Sequence, residues 1–325
     1  MRHRLVAFTL LATALTLPAH TSAAEPRVRD LKITVLSTML AGNPMFRGIG
    51  EWGFAALVEA DGKRILFDTG LRPQTVLRNA HELGVDLTGI ETVVLTHNHN
   101  DHIGGLMTLR REFMGTDARA YSRVHVGRGI FWSRGADSKG IEDNAAIALK
   151  AEFEATGGTF LEHAGPVELA PGVWFTGPIP RPNPEKNYGG TDRVLAPDGW
   201  TADIVQEDSA LVFDTRRGLV VLSGCGHAGM INTLAYACTV TRETRVHAAI
   251  GGFHLLSNTD EGLAWTAARL REFGVVHLLN AHCTGIEASF RLRDLAGLDR
   301  ATSVVAAVGA TFDLERGIDP LMLAR

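Results

Sequence analysis

Between residues 93 and 105 the chain reads VVLTHNHNDHIGG, which sets His97, His99, Asp101 and His102 within six residues, directly after an apolar run. Imidazole nitrogens beside a carboxylate are the donors that zinc and other first-row divalent ions take. The two alternate histidines can reach one ion while the Asp-His pair turns toward a second. Buried without a positive partner, such a cluster would be hard to keep. Further histidines stand just after apolar, strand-like runs: His227 in LSGCGHAGMINTL, His254 in IGGFHL and His282 in AHCTG. A loop could return each of them to the same place. Cys225 and Cys283 flank two of these histidines, and a thiolate binds zinc well. A small buried cysteine packed beside the site is the plainer reading of both. His81, His125, His163, His247 and His277 carry no motif and are read as structural or surface residues.

These groups need strands to deliver them. Strand-like runs recur at 31–37, 53–59, 63–67 and 90–95, and Asp61-Gly62 signals a hairpin between the second and third. Helical spacing follows at 73–83, with Val76, Leu77 and Leu83 on one side, and a second helix opens at 105–113, directly after the cluster. The middle of the chain, 119–203, is less regular. It shows short strands near 123–126 and 173–176 and a turn-rich loop, GPIPRPNPEKNYGG, at 177–190. Such a loop inside a compact protein reads as a lid or substrate loop, and its Arg181 and Lys186 could meet an anionic substrate. The last third predicts a hairpin, 210–213 with 219–222, around Arg217-Gly218. Helices at 228–238, 260–273 and 286–295 then alternate with strands at 246–250 and 275–279. Strand pairs followed by β-α alternation predict stacked sheets with helices outside.

Residues 1–24 read differently. A basic start (Arg2, Arg4) leads into a short apolar run at 5–17 and ends in small residues, with Ser22 and Ala24 where a signal peptidase reads. That run is short for a bilayer span. The expectation is a cleaved export signal followed by one domain, 25–325, acting in the periplasm or outside the cell. Removing the signal takes away two of the 32 basic residues against 36 acidic ones, and no basic block survives. Nucleic acid is therefore an unexpected partner, a stable membrane span is not expected in the mature chain, and the expected partner is a small-molecule substrate. Three cysteines, Cys225, Cys238 and Cys283, are too few for a disulfide scaffold.

THNHNDHIGG matches the T-H-x-H-x-D-H-x-G-G signature, so the chain resembles the metallo-β-lactamase fold superfamily; ILFDTG at 65–70 is a second marker. LSGCGHAGMINTL, IGGFHL, AHCTG, GPIPR and EDSALVFDT narrow the likeness to one branch, typified by a dihydropterin–aminobenzene ribofuranosyl phosphate synthase. It runs from about residue 31 to about residue 309. The resemblance implies an α/β fold, an αββα sandwich of two mixed β-sheets flanked by helices, with metals at one edge. It makes His97, His99, Asp101 and His102 metal ligands, adds His227 and His282 as distal ligands, and gives Asp68 the task of orienting a ligand histidine. His254 is read as a ligand, a donor beside the site or a proton carrier, and Asp101 as positioning water besides holding metal. The implied cofactor is a divalent metal, one or two Zn2+, with iron or manganese as alternatives.

Three features depart from the pattern. No bridging aspartate follows 219–223, where SGCGH stands; no third histidine precedes that strand, where the chain reads IVQEDSA; and Trp52 and Ala55 occupy places where the branch carries histidine and serine. The expected function is an exported metal-dependent hydrolase that turns a metal-bound hydroxide on an ester or phosphoester. The alternatives are a transferase like the synthase, which the export signal argues against, and a non-catalytic metal-binding protein.

Overall fold

Alternate side chains of Leu31–Ser37 enter two different cores. Ile33 and Val35 face one, Leu36 the other. The same two-residue alternation divides Val58 from Leu57, Phe67 from Leu66, and Val94 from Val93 and Leu95. In the second half of the chain Leu211 and Phe213 part from Val212 in the same way, as do Val220 and Leu222 from Val221. Strands buried on both faces therefore build two sheets that share a central core and carry a layer of helices on each outer face.

The structure is a computed structural model describing residues 27–322 except 44, 46, 136–141, 186 and 188–192. The expected export signal at 1–24 and Lys186 lie outside the described residues. Among the described residues, one sheet has eight strands in the order Gly317–Asp319, Thr311–Asp313, Leu31–Ser37, Ala55–Ala60, Lys63–Phe67, Thr92–Leu95, Arg123–Gly127, Thr159–His163. The other has seven: Ser303–Val305, His277–Asn280, Val246–Gly251, Gly218–Ser223, Ala210–Thr215, Val173–Phe175, Val167–Ala170. Helices Thr75–Leu83, Leu106–Met114 and Ala145–Glu154 cover the first sheet; Met230–Thr241, Asp260–Phe273 and Ile286–Ala296 cover the second. The αββα architecture expected from the sequence is the one observed.

Each sheet changes from antiparallel to parallel pairing partway across. Lys63–Phe67 and Thr92–Leu95 run parallel in the first sheet; Gly218–Ser223, Val246–Gly251 and His277–Asn280 run parallel in the second. Asp68 and every histidine singled out as a candidate for the site lie just beyond the carboxyl end of one of these five strands, where open α/β sheets leave a crevice. Two differences from expectation bear on this. A one-turn helix, Asn100–Ile103, precedes Leu106–Met114 and carries Asp101 and His102. The middle also holds more structure than its irregular sequence suggests: Ala145–Glu154, the Thr159–His163 and Val167–Ala170 strands, and a small sheet of Arg134–Gly135, Arg193–Ala196 and Gly199–Ala202. No helix among the described residues is long and apolar enough to cross a membrane.

Candidate metal centre

The Lys63–Phe67 strand ends at Asp68, whose backbone takes a positive φ of 52° while its N–H bonds the Val94 carbonyl. That turn points the carboxylate at the neighbouring strand end. Asp68 Oδ1 accepts from the Thr96 N–H at 2.8 Å; Oδ2 accepts from the Thr96 hydroxyl at 2.9 Å and lies 2.7 Å from His102 Nδ1. The Thr96 hydroxyl spends its one proton on Asp68, so at 2.9 Å from His97 Nδ1 it acts as acceptor. Both imidazoles are thereby fixed with Nδ1 protonated and Nε2 turned inward. Gly224 leaves room for this network: a methyl group there would collide with Asp68 Oδ2 and Thr96 Oγ1.

The inward nitrogens meet donors from the second sheet. His97, His99 and His227 form one group and Asp101, His102, Cys225 and His282 another; within each, one ligand atom per residue lies within 4.8 Å of the rest. The His97 ring is 4.5 Å from His99, 4.8 Å from His227 and 4.2 Å from His102, so the groups adjoin. Asp101 Oδ2 is 3.1 Å from His282 Nε2 and 3.6 Å from His102 Nε2. His97, His102 and His282 are fully buried, whereas His99 and Asp101 are half-buried and mark the open side.

These residues fit a divalent cation. His97 Nε2 is buried and has no hydrogen-bond partner, an arrangement that costs stability unless an electrophile takes the lone pair. Burial pushes the pKa of His97 well down and that of His99 to about 4, so both rings are neutral donors near pH 7. Burial works against a charge on His102 too, yet Asp101 and Asp68 outweigh it and raise its pKa to about 9. Burial also opposes a charge on Asp101, and His102 with His282 overrides it, holding the carboxyl well below its usual range. The second group thus demands a positive charge, which a proton on His102 meets here and a metal ion would meet in its place.

The departures from the signature have structural answers. His227, reaching in from beyond the Gly218–Ser223 strand, completes the first group where no histidine precedes that strand. Cys225 Sγ lies 3.1 Å from His102 Nε2 and belongs to the second group. IVQEDSA supplies supports: Glu207 Oε1 accepts from the Asn98 N–H, Asp208 Oδ2 from the Ala228 N–H, and the Ser209 hydroxyl donates to the Thr96 carbonyl. Burial raises the Asp208 pKa to about 7. Glu207 in turn holds Arg134 at 2.6 Å, as does Asp203, and all three are buried. Sequence reading missed Arg134, Asn98 and Glu207, because Arg134 lies 69 and 73 residues from its carboxylates.

His254, also at positive φ, has its ring 4.6 Å from that of His227 and forms a third group with Cys225 and Cys283. Trp52 packs against His282 in a tilted contact, ring centres 4.7 Å apart, while remaining 46% exposed, so it borders the site; Ala55 lies in the core under the helices instead. The Arg181 guanidinium donates to the carbonyls of Ile204 and Val205 and is influenced by Asp203, Glu207 and Asp208, so it braces that segment, a task the sequence did not suggest. In the described part of the 177–190 stretch, Glu185 is an anchor: its carboxylate accepts from the N–H groups of Ile231 and Asn232 at the start of Met230–Thr241. Of this loop, Pro184, Glu185 and Asn187 wall a cavity of about 390 Å³ that His254 also lines.

The comparisons agree with this geometry. Residues 53–231 match the model of the metallo-beta-lactamase superfamily. The 7,8-dihydropterin-6-methyl-4-(beta-D-ribofuranosyl)-aminobenzene-5'-phosphate synthase of Methanocaldococcus jannaschii is 30% identical over 268 residues, 81% of this chain and 90% of that protein. Among solved structures, Tm1679, described as a metal-dependent hydrolase of the beta-lactamase superfamily, superposes with a TM-score of 0.68 at 26% identity, covering 87% of this chain and 98% of its own. Zn(2+)-bound PqqB from Methylobacterium extorquens shares the fold at a TM-score of 0.53 and 15% identity, over 87% of this chain and all of its own. A motif match over more than half the chain, a relative similar over four-fifths of it, and a common fold lead to one conclusion: the chain belongs to the metallo-β-lactamase superfamily.

Proposed function

We propose that this protein is a metal-dependent hydrolase of an ester or phosphoester, with His97, His99 and His227 holding one ion and Asp101, His102, His282 and Cys225 a second. The observation that carries the reading is the buried, unpartnered Nε2 of His97, beside neutral histidines and a carboxylate group that demands positive charge. A divalent ion so held supplies Lewis-acid polarisation of the bond attacked and makes water a nucleophile near neutral pH. The chain's own part is positional. Asp68 and Thr96 fix two imidazoles, and half-buried Asp101, held ionised, can orient water on the open side. His254, beside His227 and at the wall of the cavity, is placed to carry a proton to a departing group. Zinc is the metal these nitrogen, sulfur and carboxylate donors favour, with iron and manganese as alternatives. Residues 1–24 carry the export pattern, so we read the mature protein as acting outside the cytoplasm.

A transferase reading is favoured by one observation, the 30% identity to the synthase over most of both chains. The reaction separates the two. Purified mature protein should hydrolyse bis(p-nitrophenyl) phosphate or p-nitrophenyl esters, lose that activity on chelation and regain it with metal. A metal-loaded protein inert on every ester and diester would overturn the hydrolase reading and leave the transferase and the non-catalytic metal-binding protein.

A further inference from the structure

Cys225 and Cys283 are both reduced and buried, and they come from different elements: Cys225 follows the Gly218–Ser223 strand and Cys283 lies in the His282–Thr284 turn. The Cys283 thiol donates to Cys225 Sγ at 3.3 Å and to the Cys225 carbonyl at 3.5 Å. Since an S–S bond is about 2.05 Å, the sulfurs at 3.3 Å need to approach by only about 1.2 Å to join. Cys225 Sγ is also the sulfur that stands 3.1 Å from His102 Nε2, within the second donor group.

We propose that Cys225 and Cys283 form a reversible disulfide that competes with metal at the Asp101–His102–His282 group. The inference rests on the metal reading of that group. One sulfur cannot serve both ends: a Cys225 joined to Cys283 carries no thiolate for an ion, and a Cys225 thiolate on an ion is withdrawn from exchange. The oxidant is a low-molecular-weight disulfide, RSSR. Cys283 belongs with Cys225 to the donor group of His254, and His254 lines the 390 Å³ cavity, so we take the oxidant to enter from that side and meet Cys283. Attack by its thiolate, after loss of the thiol proton, breaks the RS–SR bond, forms a mixed disulfide and releases one RSH. Attack by Cys225 then breaks the mixed disulfide and releases the second RSH. Two protein thiols lose two hydrogens and two electrons, and one RSSR becomes two RSH. By linkage, bound metal protects the pair, and oxidation weakens metal binding by the same factor.

The test incubates the full mature chain with glutathione disulfide, with and without zinc, then alkylates free thiols and maps non-reduced peptides by mass spectrometry. Metal-free protein should yield a Cys225–Cys283 peptide pair, leave Cys238 alkylated, and revert with reductant. Zinc should slow pairing, and the oxidised protein should bind its second equivalent at least about tenfold more weakly. Cys283→Ser should keep Cys225 as a donor and make zinc binding indifferent to oxidant. The proposal is overturned if the pair never joins in metal-free protein, or if it joins as fast with zinc as without. It is also overturned if Cys283→Ser responds to oxidant like the parent. Failure of the underlying metal reading shows separately, as reduced protein that takes up no zinc; that ends the competition, while the peptide map still reads the disulfide by itself.

Discussion

Asp68 does more for the centre than its place outside both donor groups suggests. One carboxylate receives three hydrogen bonds, from the Thr96 N–H, the Thr96 hydroxyl and His102 Nδ1, and so sets the tautomers of two imidazoles. Asp68→Asn would present an N–H where His102 or Thr96 also donates. Metal affinity should fall by about 10–100-fold with the fold kept, as read by competition with a chromophoric chelator alongside circular dichroism. An unchanged affinity would mean that Asp68 serves only the turn. Strain collects at the same place: Asp68, His254 and His282 are non-glycine residues at positive φ, a conformation that persists only where its surroundings enforce it. The histidines were legible because their spacing is a motif. The place of Cys225 was not, because packing is the plainer reading of a cysteine beside a histidine until its sulfur is placed against His102.

At the scale of elements, the loops bearing the ligand candidates hang on buried ionic and capping contacts. Arg134 joins Glu207, which receives the Asn98 N–H between His97 and His99. Arg134→Met should leave Glu207 and Asp203 charged, buried and unpaired, at a cost of about 3–5 kcal/mol in denaturant unfolding; a loss under about 1 kcal/mol would show the triad to be incidental. Glu185→Ala should free the anchor of the 177–190 loop and expose it to limited proteolysis before the rest of the chain is cut. Uniform resistance would contradict that anchor. The strands and most helices follow from alternation and period in the sequence. Ala145–Glu154 does not, since its alanine-rich run blurs the apolar stripe that Ala146 and Phe153 bury. Nor does any local pattern foretell Arg134, whose partners lie 69 and 73 residues further along the chain.

For the whole molecule, histidines away from the centre predict how stability follows pH. His125 Nδ1 is 2.9 Å from His163 Nε2 with the rings stacked, and His247 packs against His277 at 5.0 Å. Burial lowers all four pKa values, those of His125 and His247 to about 4. In the unfolded chain each would titrate near 6.5. Lowered folded values mean that the unfolded state binds more protons in between, so this stability is fully present above pH 6.5 and is lost as pH falls toward 4. Thermal midpoints should therefore drop across that window, and His125→Gln should flatten part of the drop. A midpoint constant from pH 7 to 4 would contradict the pairing. The measurement that bears most directly on the centre is metal stoichiometry, by mass spectrometry of the reconstituted protein and of His97→Ala and His282→Ala. Two donor groups predict about two equivalents in the parent, with one lost in each variant. A parent that takes up no metal, or variants that keep the full complement, would contradict the assignment of these residues to a metal centre.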